Sequence, residues 1–248
     1  MATITASAQQ LPGTRYDHRF FPAMTVLLSA ITVAGFAHTY FFAGLFRAPL
    51  PATIIHIHGA VFTLWFVLLL VQSGLAAFGR VDFHRKLGIA GIVVAAAMIP
   101  LGLMATAEYG RRMAPTMPRI RISLIMPVTE LAAFAVLVTA AFLLRRNPAA
   151  HKRLILIATI AIIAAATGRM EFLPVFGLHR QAALRVVWAY TYLLLIPIAA
   201  YDLRSRWKLH PATVWGSIFL IGLHQVAIQV CTTTPWLAFA AWLQSWNV

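Results

Sequence analysis

Acidic residues are scarce in this chain: 6 Asp and Glu stand against 20 Lys and Arg in 248 residues, and charged residues of all kinds reach only 10%. With 61% hydrophobic residues and a mean hydropathy of +0.81, so little charge excludes a water-soluble domain of this length. Cysteine is limited to Cys231, which excludes an internal disulfide framework and any cysteine-based zinc or iron–sulfur cluster. Also missing are a Gly-rich phosphate loop, a His-Glu-x-x-His helix, a nucleophile elbow and a soluble catalytic domain, so no enzyme class is indicated. Paired-carboxylate chemistry has little material outside Glu108 and Glu171.

What is there is apolar sequence in long blocks. A hydrocarbon core of ~30 Å needs roughly 20 helical residues at ~1.5 Å each, and seven blocks of about that size run over Phe20–Phe46, Ala52–Phe78, Lys86–Ala107, Ile122–Leu144, Leu154–Gly168, Ala183–Tyr201 and Ala212–Cys231. Barrel strands would alternate apolar and polar residues over about ten positions, and these blocks do not. The predicted fold is therefore all-α, an integral membrane bundle of about seven transmembrane helices. Its expected divisions are an N-terminal tail over 1–19, a transmembrane domain over 20–231 and a C-terminal interfacial segment over 232–248. Met1 to Arg19 holds no apolar core for a cleavable signal, so the first span is expected to act as the signal. After Thr232-Thr233-Thr234-Pro235, the residues Trp236, Phe239, Leu243 and Trp246 recur at helical spacing, which predicts a short helix at the membrane surface.

A formal charge of +14 would suggest nucleic acid in a soluble protein. Here the cations sit in short loops, where they set topology and touch anionic lipid, so the expected partner is the bilayer and not nucleic acid. The larger share, including Arg80, Arg85, Lys86, Arg145, Arg146, Lys152 and Arg153, lies on the side of the amino terminus. That bias predicts a bacterial inner (plasma) membrane protein with a cytoplasmic N-terminus and an outward C-terminus. A membrane-protein partner or a homo-oligomer is compatible with a chain that has so little outside the bilayer.

Three turns on that side repeat a pattern of basic residues with a histidine near the start of the next helix: Asp82-Phe83-His84-Arg85-Lys86, Ala150-His151-Lys152-Arg153 and Arg206-Trp207-Lys208-Leu209-His210-Pro211. This reads as a weak threefold repeat of a helical hairpin behind an added first span. Neutral imidazoles at His84, His151 and His210 are expected to cap backbone donors at their helix starts. The alternative for them is a second layer of haem or metal ligands.

Titratable side chains inside spans are costly and mark partners or cavities. Four stand out: His38, His58, Glu130 and His224. His38 lies nine residues before Arg47, His58 seven after Pro51, Glu130 nine after Arg121 and His224 eight before Thr232, so all fall ~10–14 Å below the outer surface at ~1.5 Å per residue. The seven-residue spacings His58, Trp65, Gln72 and Ser217, His224, Cys231 each mark one helix face turned from lipid. His56, two positions from His58, points to nearly the opposite face. Glu108, Arg169 and Glu171 could rim the layer.

Three readings of the layer stay open. His38, His58, Glu130 and His224 form a donor set suited to a transition metal, and His38, His58 and His224 could ligate haem, which would support redox chemistry. His38, Glu130 and His224 could instead serve a small proton-linked transporter. They could also be hydrogen-bonded groups that join helices in an accessory subunit without catalysis.

The whole chain resembles a family of uncharacterised bacterial inner-membrane proteins. The resemblance is carried by His56-Ile57-His58-Gly59, by Arg80-Val81-Asp82-Phe83-His84-Arg85-Lys86-Leu87-Gly88, by His151-Lys152-Arg153-Leu154, and by Tyr201-Asp202-Leu203 with His210-Pro211-Ala212-Thr213-Val214-Trp215-Gly216. It implies a multi-pass inner-membrane fold and no particular activity. A looser likeness, over the second and third spans, is to transmembrane di-haem cytochromes b, whose turns are similar to His84-Arg85-Lys86-Leu87-Gly88; it implies haem as a cofactor.

Overall fold

A computed structural model describes residues 13–45, 52–170 and 180–247. Helix α1 (Gly13–Phe36) ends in a π turn (Ala37–Phe41), followed by α2 (Thr53–Ala77) and α3 (Val81–Met113). Then come α4 (Ile120–Ser123), α5 (Ile125–Leu143), α6 (Pro148–Ala161), α7 (Ala164–Thr167), α8 (Arg180–Leu193), α9 (Ile196–Arg206), α10 (Pro211–Val230) and α11 (Thr234–Gln244). Among the described residues there is no strand. Seven helical units are long and apolar enough to cross a membrane: Tyr16–Phe41, Thr53–Ala77, Val81–Met113, Ile120–Leu143, Pro148–Thr167, Gln181–Arg206 and Pro211–Val230. The chain is an all-α, multi-pass membrane bundle.

Two boundaries differ from the apolar blocks. Helix α1 already includes Gly13–Arg19, so the end of the expected tail is helical. Helix α3 runs for 33 residues, about 50 Å at ~1.5 Å per residue against a core of ~30 Å. Its ends, with Asp82, Arg85 and Lys86 at one and Arg111 and Arg112 at the other, are polar and helix-compatible, so hydropathy stops where the helix does not.

Prolines explain two of the internal breaks. Pro127 and Pro197 cannot donate to the carbonyl four residues back and crowd it, and the helices part at Leu124 and at Leu194–Leu195. The α2–α3 turn closes on Gly79 at φ 71, a left-handed conformation that favours glycine. Asn147 starts α6 by accepting from the Ala150 N–H at 3.2 Å, with Pro148 at the first helical position.

The fifth span is the bundle's axis. In its most apolar window 72% of residues are buried, against 22% to 50% in the other six. Its side chains Leu156, Ile157, Ile160 and Ile163 are at most 2% exposed. Its run of alanines lets α1 approach closely: a Cβ on Gly35 would sit 2.3 Å from the Ala166 carbonyl oxygen.

At the end that carries the basic turns, two ion pairs tie α6 to its neighbours. Arg153 and Asp202 are both fully buried. The Arg153 guanidinium donates to Asp202 Oδ1 through Nε at 2.9 Å and through Nη2, while Asp202 Oδ2 accepts from the His210 N–H at 3.0 Å and from Thr213 Oγ1 at 2.5 Å. One carboxylate thus pins α6, α9 and α10. Asp17 of α1 accepts from Lys152 and Tyr201, and Tyr201 stacks on Phe20 at 4.2 Å.

At the opposite end α11 docks on α3 and α4. Trp236 Nε1 donates to the Arg121 carbonyl at 2.9 Å, and Gln244 donates to the Gly110 carbonyl at 2.9 Å while accepting from Arg121 Nε at 2.7 Å. Trp236, Ala240 and Leu243 are buried, whereas Phe239 and Trp242 face outward. Of the apolar residues at helical spacing, Trp236 and Leu243 thus face the bundle and Phe239 does not.

Candidate functional site

Glu130 lies on the second turn of α5 and is only 3% exposed. His224, on α10, is fully buried. Trp188 of α8, also fully buried, joins them. Its indole stacks on the His224 imidazole with ring centroids 4.2 Å apart and planes 8° apart, and its nitrogen faces the Glu130 carboxyl. The approach falls short of a hydrogen bond, because Glu130 Oε1 and Trp188 Nε1 are each buried without a partner. Tyr192, one helical turn beyond Trp188, places its hydroxyl 3.1 Å from His224 Nδ1, and His224 Nε2 is buried without a partner.

His58 stands on α2, half-buried, with its ring 4.0 Å from that of Phe62 and its Nδ1 buried without a partner. The charge of Arg169, at the end of the fifth span, reaches both His58 and Glu130. Arg169 itself is solvent-exposed, lies 4.6 Å over the Phe36 ring and donates to the Ala165 carbonyl.

Glu130 and His224 therefore meet through Trp188, and His58 shares the Arg169 cation with Glu130. His38 is on the π turn and exposed. Among the described residues no three His, Cys, Asp or Glu side chains converge where a metal ion could be held. His56 is exposed, with its ring 5.7 Å from Tyr40, on a different side of α2 from His58. Of the expected rim, Glu108 is buried and paired with Arg111 one turn on, and Glu171 lies outside the described residues. The inward stripes hold: Trp65 is 4% exposed and donates to Thr159 Oγ1 at 3.3 Å, and Cys231, seven residues after His224, is fully buried.

Trp188 and Tyr192 carry no charge, so a search for titratable side chains within spans does not find them. The available signal was their spacing of four, which puts both on one helix face.

The chemistry of the cluster follows from its unpaired atoms. Trp188 Nε1 is a donor only, Glu130 Oε1 accepts when ionised and can donate when protonated, and His224 Nε2 does either according to its tautomer. Leaving such atoms buried and unmatched costs ~1–3 kcal/mol each. A guest that both donates and accepts, or a proton exchanged between them, removes that cost. No family model, curated protein or solved structure matches the chain.

Proposed function

We propose that the Glu130–Trp188–His224–Tyr192 cluster is a proton-exchange site inside the bilayer, serving a small proton-linked carrier of polar solutes. The chain sits in the inner (plasma) membrane of a bacterium with its N-terminus in the cytoplasm, in keeping with the cations gathered at that end. One observation carries the reading: three polar atoms, Glu130 Oε1, Trp188 Nε1 and His224 Nε2, are buried and unpaired, and Trp188 faces both of the other side chains within a membrane-spanning bundle. An unpaired carboxylate is expensive in hydrocarbon, and such groups mark proton and substrate paths.

In this reading Glu130 takes and releases the proton at Oε1. Tyr192 hydrogen-bonds His224 Nδ1 as donor or acceptor, and Nε2 takes the opposite role to Nδ1 in the neutral ring. Trp188 holds the imidazole in place by stacking and cannot itself pass a proton, because indole only donates. Arg169 supplies the opposite charge when Glu130 is ionised. Proteoliposomes of the full chain adsorbed on a solid support test this by a rapid pH jump. Wild type is expected to give a transient charge displacement that disappears in Glu130→Gln and shrinks in His224→Gln; equal transients in wild type and Glu130→Gln would overturn it.

A further inference from the structure

A groove on the side of the bundle ends at two of the repeated basic turns. Val136, Ala140 and Leu144 of the α5 side and Trp215 and Phe219 of α10 form its walls, Leu154 of α6 also lines it, and it holds about 510 Å³. Gly216 brings α10 down onto α6 beside it: a Cβ there would sit 2.9 Å from Ile157 Cδ1. Val136, Leu144 and Trp215 are exposed, and Val136 and Trp215 belong to the fourth and seventh spans, so the groove opens sideways into hydrocarbon. Its volume is in the range of ~300–1,000 Å³ usual for small-ligand sites, and its apolar walls suit an acyl chain.

The polar lining is Asn147 and His210, the residues that start α6 and α10. Of the three histidines in the repeated turns, His210 caps its helix as expected, Nδ1 accepting from the Ala212 N–H at 3.0 Å; His84 and His151 instead bond the Gln72 and Ala141 carbonyl oxygens. With Nδ1 accepting, the neutral His210 ring carries its proton on Nε2, a donor. Asn147 Oδ1 likewise accepts from the Ala150 N–H at 3.2 Å, which leaves its amide N–H groups to donate. Both polar side chains thus offer donors to a group that accepts. Arg145 and Arg146 directly precede Asn147, and Arg206 and Lys208 lie just before His210; all four are exposed. Among the described residues none of the four pairs with a carboxylate, since Asp17 and Asp202 are taken by Lys152 and Arg153. Positive charge without a counter-ion therefore surrounds the polar end of an apolar groove, and a phosphate joined to a hydrocarbon chain complements both.

We propose that this groove binds one anionic phospholipid from the leaflet at the basic end, with an acyl chain between α5 and α10 and the phosphate accepting from Asn147 and His210 amid Arg145, Arg146 and Lys208. It is one stoichiometric site, beyond the general attraction of loop cations for a lipid surface, and it is independent of the Glu130 cluster. The purified full chain is loaded in detergent with phosphatidylglycerol or with phosphatidylcholine of the same acyl chains, and native mass spectrometry counts the lipid kept per chain. One phosphatidylglycerol is expected, held in preference to phosphatidylcholine, and glycerol phosphate, which has the head and no chain, is expected not to displace it. Retention falls more than about tenfold in Arg145→Gln/Arg146→Gln/Lys208→Gln. It is unchanged in Arg19→Gln/Arg80→Gln/Arg85→Gln, which removes as many exposed cations from the same end. On the wild type, which does not depend on how a variant folds, phosphatidylglycerol with a photoreactive acyl chain is expected to label peptides from residues 136–154 and 210–219. Equal retention of the two lipids, equal losses in the two triple variants, displacement by glycerol phosphate, or label spread evenly over all spans would overturn the proposal.

Discussion

Cutting the Arg153–Asp202 pair is expected to destabilise the bundle more than any other substitution at the basic end. Both partners are fully buried, and the carboxylate accepts from Arg153 Nε and Nη2, the His210 N–H and Thr213 Oγ1. Asp202→Ala leaves the Arg153 cation with the Ala149 carbonyl as its remaining hydrogen-bond acceptor. Removing one member of a buried pair costs about 3–5 kcal/mol, chiefly because the other charge stays buried without its counter-ion. Arg153→Ala should cost a similar amount from the other side. The double variant Arg153→Met/Asp202→Leu should recover a large part of the loss, since no charge is then left unpaired. Unfolding of detergent-purified protein by SDS titration, followed by circular dichroism, gives all three values. Single variants that each lose less than about 1 kcal/mol would refute the reasoning, as would a double variant that loses the sum of the two.

Gly35→Ala should lower stability by about 1–3 kcal/mol or prevent folding, because its Cβ would strike the Ala166 carbonyl; the same titration reads it. Burial holds the His210 imidazole below the ordinary histidine range, with Arg153 and Arg206 acting in the same direction. Its contribution is therefore present above the unfolded value of ~6.5 and fades as pH falls through that value toward the folded one. His210→Asn, which keeps an acceptor at the cap, should flatten this acid-side loss in thermal melts across pH. Removing the tie between α11 and α3 in Gln244→Ala should speed limited proteolysis after residue 231, since two side-chain bonds go with it.

The spans were legible because hydrocarbon thickness sets their length, and all seven blocks overlap helices that can cross a membrane. The breaks beside Pro127 and Pro197 and the polar ends of α3 were not, since hydropathy reports solvent and not helix continuity. At the site, the seven-residue spacing of His58, Trp65 and Gln72 located the inward face of α2, and the same spacing located that of α10. Residue counting along a straight helix does not foresee the π turn that carries His38. Arg153 reads in the sequence as one of the loop cations that set topology, with no sign of its partner Asp202. Their pairing depends on two helices separated by 49 residues meeting at one height, which no local pattern announces.

The account's central claim is that Glu130 exchanges a proton while buried against Trp188. Infrared difference spectroscopy of the full chain in lipid, between acidic and alkaline buffer, observes this directly. The account predicts a carbonyl stretch of a protonated carboxyl that comes and goes with pH, is lost in Glu130→Gln, and shifts in Trp188→Phe. A carboxyl band that is indifferent to pH, or that survives in Glu130→Gln, would contradict it.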